Sequence, residues 1–214
     1  MNNDLSAYRK SYEKGDLSET NIPENPIELF QKWFYEIDQS NTVDEANAMT
    51  VSTIGLDGFP KSRVVLLKQF TFEGFIFYTN YNSEKGKAIA NNPNVCLSFF
   101  WHTAEKQIII KGKAEKIAEN LSDGYFESRP RGSQLGALAS NQSEIISREK
   151  LKTTLKTLEA KLEGKVINRP KHWGGYIIKP VEIEFWQGRA NRLHDRLRYK
   201  LLEDYNWKID RLAP

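Results

Sequence analysis

The spacing of apolar side chains divides this 214-residue chain into segments of two kinds. Ile27, Phe30, Trp33, Phe34 and Ile37 recur at the interval of one helix face. Asn25-Pro26, just ahead of them, supplies a cap and a first-position proline. Residues 49–54 alternate apolar and polar as a strand does, Gly55-Leu56-Asp57-Gly58 forms a turn, and 62–70 and 75–79 read as two further strands. A short helix is predicted over 83–91, stopped by Asn92-Pro93. Strands follow at 95–101 and 107–117, with 102–106 as the turn between them. Helices return at 119–128, 131–140 and about 144–163, the last carrying Leu151, Leu155, Leu158 and Leu162 as its apolar stripe. After a loop over 164–175 the pattern is β again, at 176–179, 181–187, 192–202 and 207–212. Asp204-Tyr205-Asn206 is a hairpin turn between the last two strands.

Strands thus come in two runs separated by helices and do not alternate with them, which argues against a doubly wound parallel sheet. The pattern predicts a mainly β, mainly antiparallel barrel with peripheral helices. No repeat or linker marks a boundary. The expected organisation is a flexible N-terminal segment over 1–21 and a single domain over 22–214, with a helical insert at about 119–163.

Composition narrows the classes of function. With 31 basic and 28 acidic residues the net charge is +3, which gives no reason to expect a nucleic-acid partner. Hydrophobic residues at 39% and aromatics at 12% describe a folded globular chain. A lone cysteine, Cys96, excludes a disulfide framework and a cysteine-based zinc site, and the three histidines are too dispersed for a metal set. The apolar stretches are of strand length, so no membrane partner is expected. The first sixteen residues lack the apolar centre of a signal peptide, and the expected location is cytoplasmic. There is no Gly-x-Gly-x-x-Gly, Walker loop or Gly-x-Ser-x-Gly pattern, which argues against a Rossmann dinucleotide site, P-loop chemistry and serine hydrolysis.

Three places could carry chemistry. Over 192–202, alternation puts Arg192, His194, Arg196 and Arg198 on one strand face and Leu193, Leu197, Tyr199 and Leu201 on the other. Such a basic row is either a solvated face or a surface that an anion neutralises. Trp186 on the outward side of its strand, with Gly188 after it, favours a ligand there. The second place is Tyr125, Arg129, Arg131 and Ser133 around Pro130, a donor set suited to a phosphate ester or else a kinked helix junction with exposed arginines. The third is Arg63 and Lys68, which bracket an apolar strand and, five apart, point to opposite faces; snorkelling strand ends would look the same.

Longer motifs go further. Arg63-Val64-Val65-Leu66-Leu67-Lys68, Phe77-Tyr78-Thr79-Asn80, Phe185-Trp186-Gln187-Gly188, Arg192-Leu193-His194-Asp195-Arg196 and the terminal Trp207-Lys208-Ile209-Asp210-Arg211-Leu212-Ala213-Pro214 closely resemble the pyridoxine/pyridoxamine 5′-phosphate oxidase family, in order, from about Arg9 to Pro214. The resemblance implies an FMN-binding split β-barrel that acts as a homodimer with its sites at the subunit interface. It implies oxidation of pyridoxine 5′-phosphate or pyridoxamine 5′-phosphate to pyridoxal 5′-phosphate, the last step of that cofactor's synthesis and salvage. Dioxygen is the electron acceptor, hydrogen peroxide is released, and the amine substrate also yields ammonia.

By the same resemblance, FMN is held by Arg63, Val64, Val65, Leu66, Leu67, Lys68, Tyr78, Thr79, Lys85, Gln107, Gln142, Ser143, Trp186 and Arg196. The substrate phosphate falls to Lys68, Tyr125, Arg129 and Ser133; Arg192 and His194 are the catalytic pair over the substrate ring, and Arg9 and Tyr12 help close the site. No metal is implied. One position departs from the family: Glu84 stands before Lys85 where an arginine is common, and the expectation is that Glu84 turns to solvent while Lys85 carries the phosphate contact. The same fold also serves flavin reductases and non-catalytic carriers of flavin or pyridoxal phosphate, so fold alone does not choose among these.

Overall fold

The computed structural model describes residues 3–214. The first two residues of the 1–21 segment therefore lie outside the described residues. The chain is mainly β, with strands β1 (Ala48–Ile54), β2 (Pro60–Leu66), β3 (Gln69–Thr71), β4 (Gly74–Asn80), β5 (Asn94–Trp101), β6 (Lys106–Lys116), β7 (Trp173–Gln187), β8 (Asp195–Leu201) and β9 (Trp207–Arg211). The helices are α1 (Pro26–Ser40), α2 (Glu84–Asn91), α3 (Glu119–Ser128), α4 (Arg131–Ala139) and α5 (Arg148–Lys161). The strands pair in the order β2-β1-β5-β6-β7-β4-β3, and β8 joins β7 and β9.

Two compact units share the long strands β5, β6 and β7: residues 1–49, 97–111 and 180–214 form one, and 50–96 and 112–179 the other. The first is built around α1. The Asn25 side chain accepts the Ile27 N–H at 2.9 Å, Pro26 takes the first position, and Asn41 ends the helix in the left-handed region at φ 52°. Its apolar face meets the sheet through Phe30 on Phe99 (5.3 Å between ring centres) and Trp33 on Phe185 (5.2 Å). The Tyr199 hydroxyl, deep in this core, donates to the Pro23 carbonyl at 2.9 Å.

In the second unit, helices α3, α4 and α5 cover a smaller core of Phe126, Leu135, Ile167 and Trp173. The α5 leucines Leu155, Leu158 and Leu162 pack against it. The helix starts at Arg148, capped by Ser147, and not at 144, because the chain before it is irregular and carries Ser143 at φ 78°.

Four expected strands are drawn differently, at three places in the chain, each for a backbone reason. The strand expected over 62–70 is two: β2 lies on β1, and after the Lys68 N–H donates to Ile76 the chain continues as β3 on β4. The strands expected at 176–179 and 181–187 are one. On one edge of β7 the β4 ladder ends at Ile178 and the β8 ladder begins at Glu182, so Pro180 falls in the gap where no N–H is needed. The strand expected over 192–202 begins only at Asp195. Before it, Asn191 (φ 56°) and Arg192 (φ 61°) are both left-handed, and a two-residue period does not extend across such a turn. Arg192 and His194 therefore do not share a strand face with Arg196 and Arg198, and Leu193 is exposed and not part of the core.

The end of the N-terminal segment is tied down. Leu17 is buried and donates its N–H to Asp195, and Arg211 donates to the Leu17 carbonyl and to Glu19.

Candidate functional site

Within the second unit a cavity of about 700 Å³ opens beside the ends of β2 and β4 and the α3–α4 junction. Its walls include Val64, Val65, Leu66 and Lys68 from β2 and its exit, and Tyr78 and Thr79 from β4. Lys85 reaches it from α2, Tyr125, Arg129 and Ser133 from the helical insert, and Gln142 from the loop before α5. Eleven side chains singled out in the sequence thus line one cavity.

One end is organised around Lys85. The residue is 7% exposed, and its Nζ donates to Thr79 Oγ1 at 2.8 Å and to Gln142 Oε1 at 3.3 Å. Burial pushes its ammonium down to about 8, and the Arg63 guanidinium pushes in the same direction. Arg63 is itself lowered by burial and is held by Thr53 Oγ1 at 2.8 Å and the Lys61 carbonyl at 2.8 Å; it does not line the cavity wall. Glu84 turns away to Lys61, 2.6 Å from its Nζ, so no carboxylate pairs with Lys85. Ser143 accepts the Glu84 N–H at 3.1 Å. It lines a neighbouring groove that also takes in Gln142, while Leu67 is buried beneath the cavity wall.

The other end is aromatic and basic. Tyr78, Tyr125 and Trp173 form a cluster of near-parallel rings, with Tyr78 3.9 Å from Tyr125 and 5.5 Å from Trp173 between ring centres, and Tyr125 6.1 Å from Trp173. The Arg129 guanidinium sits 4.6 Å over the Trp173 ring. Arg129 Nη1 is buried without a hydrogen-bond partner, and burial lowers the group's pKa. Among the described residues, no carboxylate pairs with Arg129, Lys68, Lys85 or Arg63. Lys85 is buried and Arg129 and Arg63 are half-buried; cations so placed without anions are costly, and an anionic ligand removes that cost. Trp173, Asn80 and Ser140 line the same cavity and were given no site role from the sequence, although Asn80 lies in one of the quoted motifs. Trp173 precedes Gly174-Gly175 at a strand start, where a loop was expected, so its alignment with Tyr78 had no visible signal.

The remaining candidates lie in the first unit. Trp186 packs against His194 at 4.8 Å between ring centres, and Tyr12 meets Trp186 edge-on at 5.8 Å and His194 at 5.7 Å. His194 Nδ1 accepts the Arg189 N–H at 3.1 Å. Arg192 is exposed on the turn, Arg9 is exposed with its Nε on the Ser6 carbonyl, and Gln107 is half-buried on β6. Arg196 donates through Nε and Nη2 to the two oxygens of Glu184, at 2.8 and 3.1 Å, and through Nη1 to the Ala213 carbonyl. The row of basic groups on β8 is thus neutralised by the chain's own carboxylates. Among the described residues, no group of histidine, cysteine and acidic side chains is placed to hold a metal, and no helix is long and apolar enough to cross a membrane.

Comparison with known proteins adds the following. Residues 38–161 match the family model described as pyridoxamine 5′-phosphate oxidase, and 173–214 the one described as the pyridoxine 5′-phosphate oxidase C-terminal dimerisation region. A protein of Flavobacterium psychrophilum named pyridoxine/pyridoxamine 5′-phosphate oxidase is 73% identical over 212 residues, 99% of each chain. PhzG from Burkholderia lata, solved with tetrahydrophenazine-1-carboxylic acid, is 31% identical with a TM-score of 0.84, covering 91% of this chain and 95% of that one. A pyridoxamine 5′-phosphate oxidase-related, FMN-binding protein from Nostoc punctiforme, 13% identical, superposes with a TM-score of 0.71 over 91% of this chain and 99% of its own. The fold is the split β-barrel that these structures share.

Proposed function

Because this chain belongs to the pyridoxine/pyridoxamine 5′-phosphate oxidase family, we propose that it binds FMN and oxidises pyridoxine or pyridoxamine 5′-phosphate to pyridoxal 5′-phosphate. The observation that carries the reading is the cavity with two cationic ends and an aromatic stack: Lys85 at one end, Arg129 with its unpartnered buried Nη1 at the other. Two anion-seeking ends in one cavity suit two phosphorylated ligands, and stacked rings suit their planar parts.

FMN fits the first end. Lys85, Thr79 and Gln142 offer its phosphate a cation and polar partners, with Arg63 adding positive potential and Ser143 at the rim. Val64, Val65, Leu66 and Leu67, with Tyr78, would flank the ring system, and Gln107, Trp186 and Arg196 complete the set assigned to it. When bound, FMN supplies the acceptor for the hydride that leaves the substrate's C4′ carbon. Arg129, Lys68, Tyr125 and Ser133 hold the substrate phosphate. Arg192 and His194 orient the ring, and Arg9 and Tyr12 exclude water from above it. Two electrons and two protons pass overall to dioxygen, which leaves as hydrogen peroxide. With the amine substrate, water replaces nitrogen at C4′ and ammonia is released. The matched dimerisation region supports a homodimer, with the sites at the subunit interface.

The test is a visible spectrum of the purified protein reconstituted with FMN, titrated without oxygen with pyridoxamine 5′-phosphate. The expected result is bleaching of the flavin with pyridoxal 5′-phosphate formed in step. A yellow protein that does not bleach overturns the substrate assignment, and a protein that holds no FMN overturns the reading as a whole.

A further inference from the structure

Glu105 stands out in the turn between β5 and β6. It is a charged residue only 2% exposed, in the left-handed region at φ 57°, a conformation that is costly for a side chain of this kind. Its Oε2 accepts two consecutive backbone N–H groups from the N-terminal segment, Glu13 at 2.8 Å and Lys14 at 3.0 Å. Its Oε1 lies 3.5 Å from the ammonium of Lys10, which is largely in solvent. Burial raises the carboxyl's pKa, but the N–H groups of Lys14 and Glu13, with Lys10, outweigh it and leave the group below its ordinary value. The same residue's carbonyl accepts the Gly188 N–H at 2.8 Å and Gln187 Nε2 at 3.1 Å.

One residue therefore links the strap of residues 10–14 to the end of β7. The other bonds of this region leave that work to Glu105. Lys14 Nζ on the Thr103 carbonyl is exposed, and Arg189 on Gly15 and Asp195 on Leu17 hold the chain further along. Between the Glu105 bonds and the Lys10 contact lies Tyr12, whose ring meets Trp186 and His194. The fit leaves no slack: a Cβ on Gly188 would come within 2.9 Å of Tyr12 Cβ and 3.1 Å of Glu105 Cβ.

We propose that Glu105 is a positioning residue for the reaction: by clamping the N–H groups of Glu13 and Lys14 it holds Tyr12 against Trp186 and His194. The role rests on the oxidase reading for its kinetic consequence, but not for the clamp itself. Both strap N–H groups fall on one oxygen, so a glutamine carbonyl can accept both and an alanine neither.

The experiment compares full-length wild type, Glu105→Gln, Glu105→Ala and Gly188→Ala, each loaded with FMN. Two readouts are taken: the rate of tryptic cleavage after Lys14 under native conditions, and kcat and KM for pyridoxamine 5′-phosphate. Glu105→Ala is expected to speed cleavage about tenfold, since cleavage follows the population of the open strap. KM rises by a similar factor, about tenfold, with FMN affinity unchanged. Glu105→Gln stays within about twofold of wild type in both readouts, because the amide carbonyl keeps both strap N–H bonds and the ion pair lost is a long one to a lysine largely in solvent. Gly188→Ala loosens the strap from the other side while leaving the carboxylate in place, and decides the matter if Glu105→Ala does not fold. Wild-type cleavage rates in Glu105→Ala and Gly188→Ala overturn the clamp, and faster cleavage in them with unchanged KM and kcat overturns its positioning role. If wild type holds FMN but leaves the substrate untouched, the oxidase reading falls, and the cleavage rates still decide whether Glu105 holds the strap.

Discussion

Two sets of basic side chains in this chain read alike in sequence and differ in what neutralises them. On β8 and β9, away from the residues assigned to FMN, Arg198 pairs with Asp210, and Arg211 with Glu19 and Asp195. Around the cavity, Lys85, Lys68 and Arg129 have none, and Arg129 buries a nitrogen with no partner at all. The charges of the first set are paired within the chain, although Arg198 also buries its Nε without a partner, and the pairs support the sheet. The second is incomplete without an anion. A basic cluster points most directly to a ligand site where the chain withholds its own carboxylates, and Glu84 shows the withholding, since it pairs with Lys61 and leaves Lys85 to the cavity.

The sharpest way to break this contrast is to remove a cation from the incomplete set. Arg129→Ala should weaken binding of the substrate phosphate by roughly 2–5 kcal/mol, because the contact is desolvated and the phosphate is left unpaired. The change appears in KM, with FMN content retained; an unchanged KM removes Arg129 from the phosphate site. At the other end, Lys85→Met should lower FMN affinity by roughly tenfold to a hundredfold, read by fluorescence quenching on titration of the flavin-free protein.

The pH dependence of Lys85 runs in two directions at once. Its ammonium loses its proton at about 8 in the folded protein, against an ordinary 10.5. Between those values the unfolded chain binds more protons, so this group makes the flavin-free protein more stable as pH rises from 8 towards 10. Over the same interval the charge that attracts a phosphate disappears, and FMN affinity falls. Stability and affinity should diverge in wild type. In Lys85→Met both trends flatten. Parallel trends in wild type would mean that Lys85 stays charged when the cavity is empty.

The period of the pattern made most elements legible, and the misses have one cause. Helix α1 begins where the Asn25-Pro26 cap places it, and helix α3 and the β5–β6 hairpin begin and end within a residue of expectation. Failure came where the backbone changed partner or hand: at Lys68, at Pro180 and at Asn191-Arg192. None of these is a property of the residues alone. The cavity residues followed the same rule. Lys68, Tyr125, Arg129 and Ser133 were legible as a donor set, because polar groups near an apolar element stand out in a sequence. Trp173 was not, since its place in the ring stack depends on the Tyr78–Gly175 and Asn80–Trp173 registers between β4 and β7. Pairing was invisible too: alternation placed Arg196 and Arg198 together, but nothing in it placed Glu184 and Asp210 opposite them.

The smallest expected effect comes from the paired set, and it sharpens the comparison from the other side. Arg198 Nη2 donates to Asp210 Oδ2 at 2.9 Å across the β8–β9 ladder, and Lys208 also lies 2.9 Å from Asp210. Arg198 and Asp210 are half-buried and Lys208 is exposed, and a pair still open to solvent is weak and screened by salt. Asp210→Asn keeps the shape and removes the charge. It should lower Tm by about 2 °C or less. The difference should shrink further as ionic strength is raised, because salt weakens the pair in wild type and the variant has nothing left to screen. FMN affinity and KM should match wild type, since a partnered surface arginine has no ligand to lose. If Asp210→Asn instead changed KM as Arg129→Ala is expected to, Arg198 would be ligand-seeking despite its partner, and a carboxylate beside it would no longer mark it as structural.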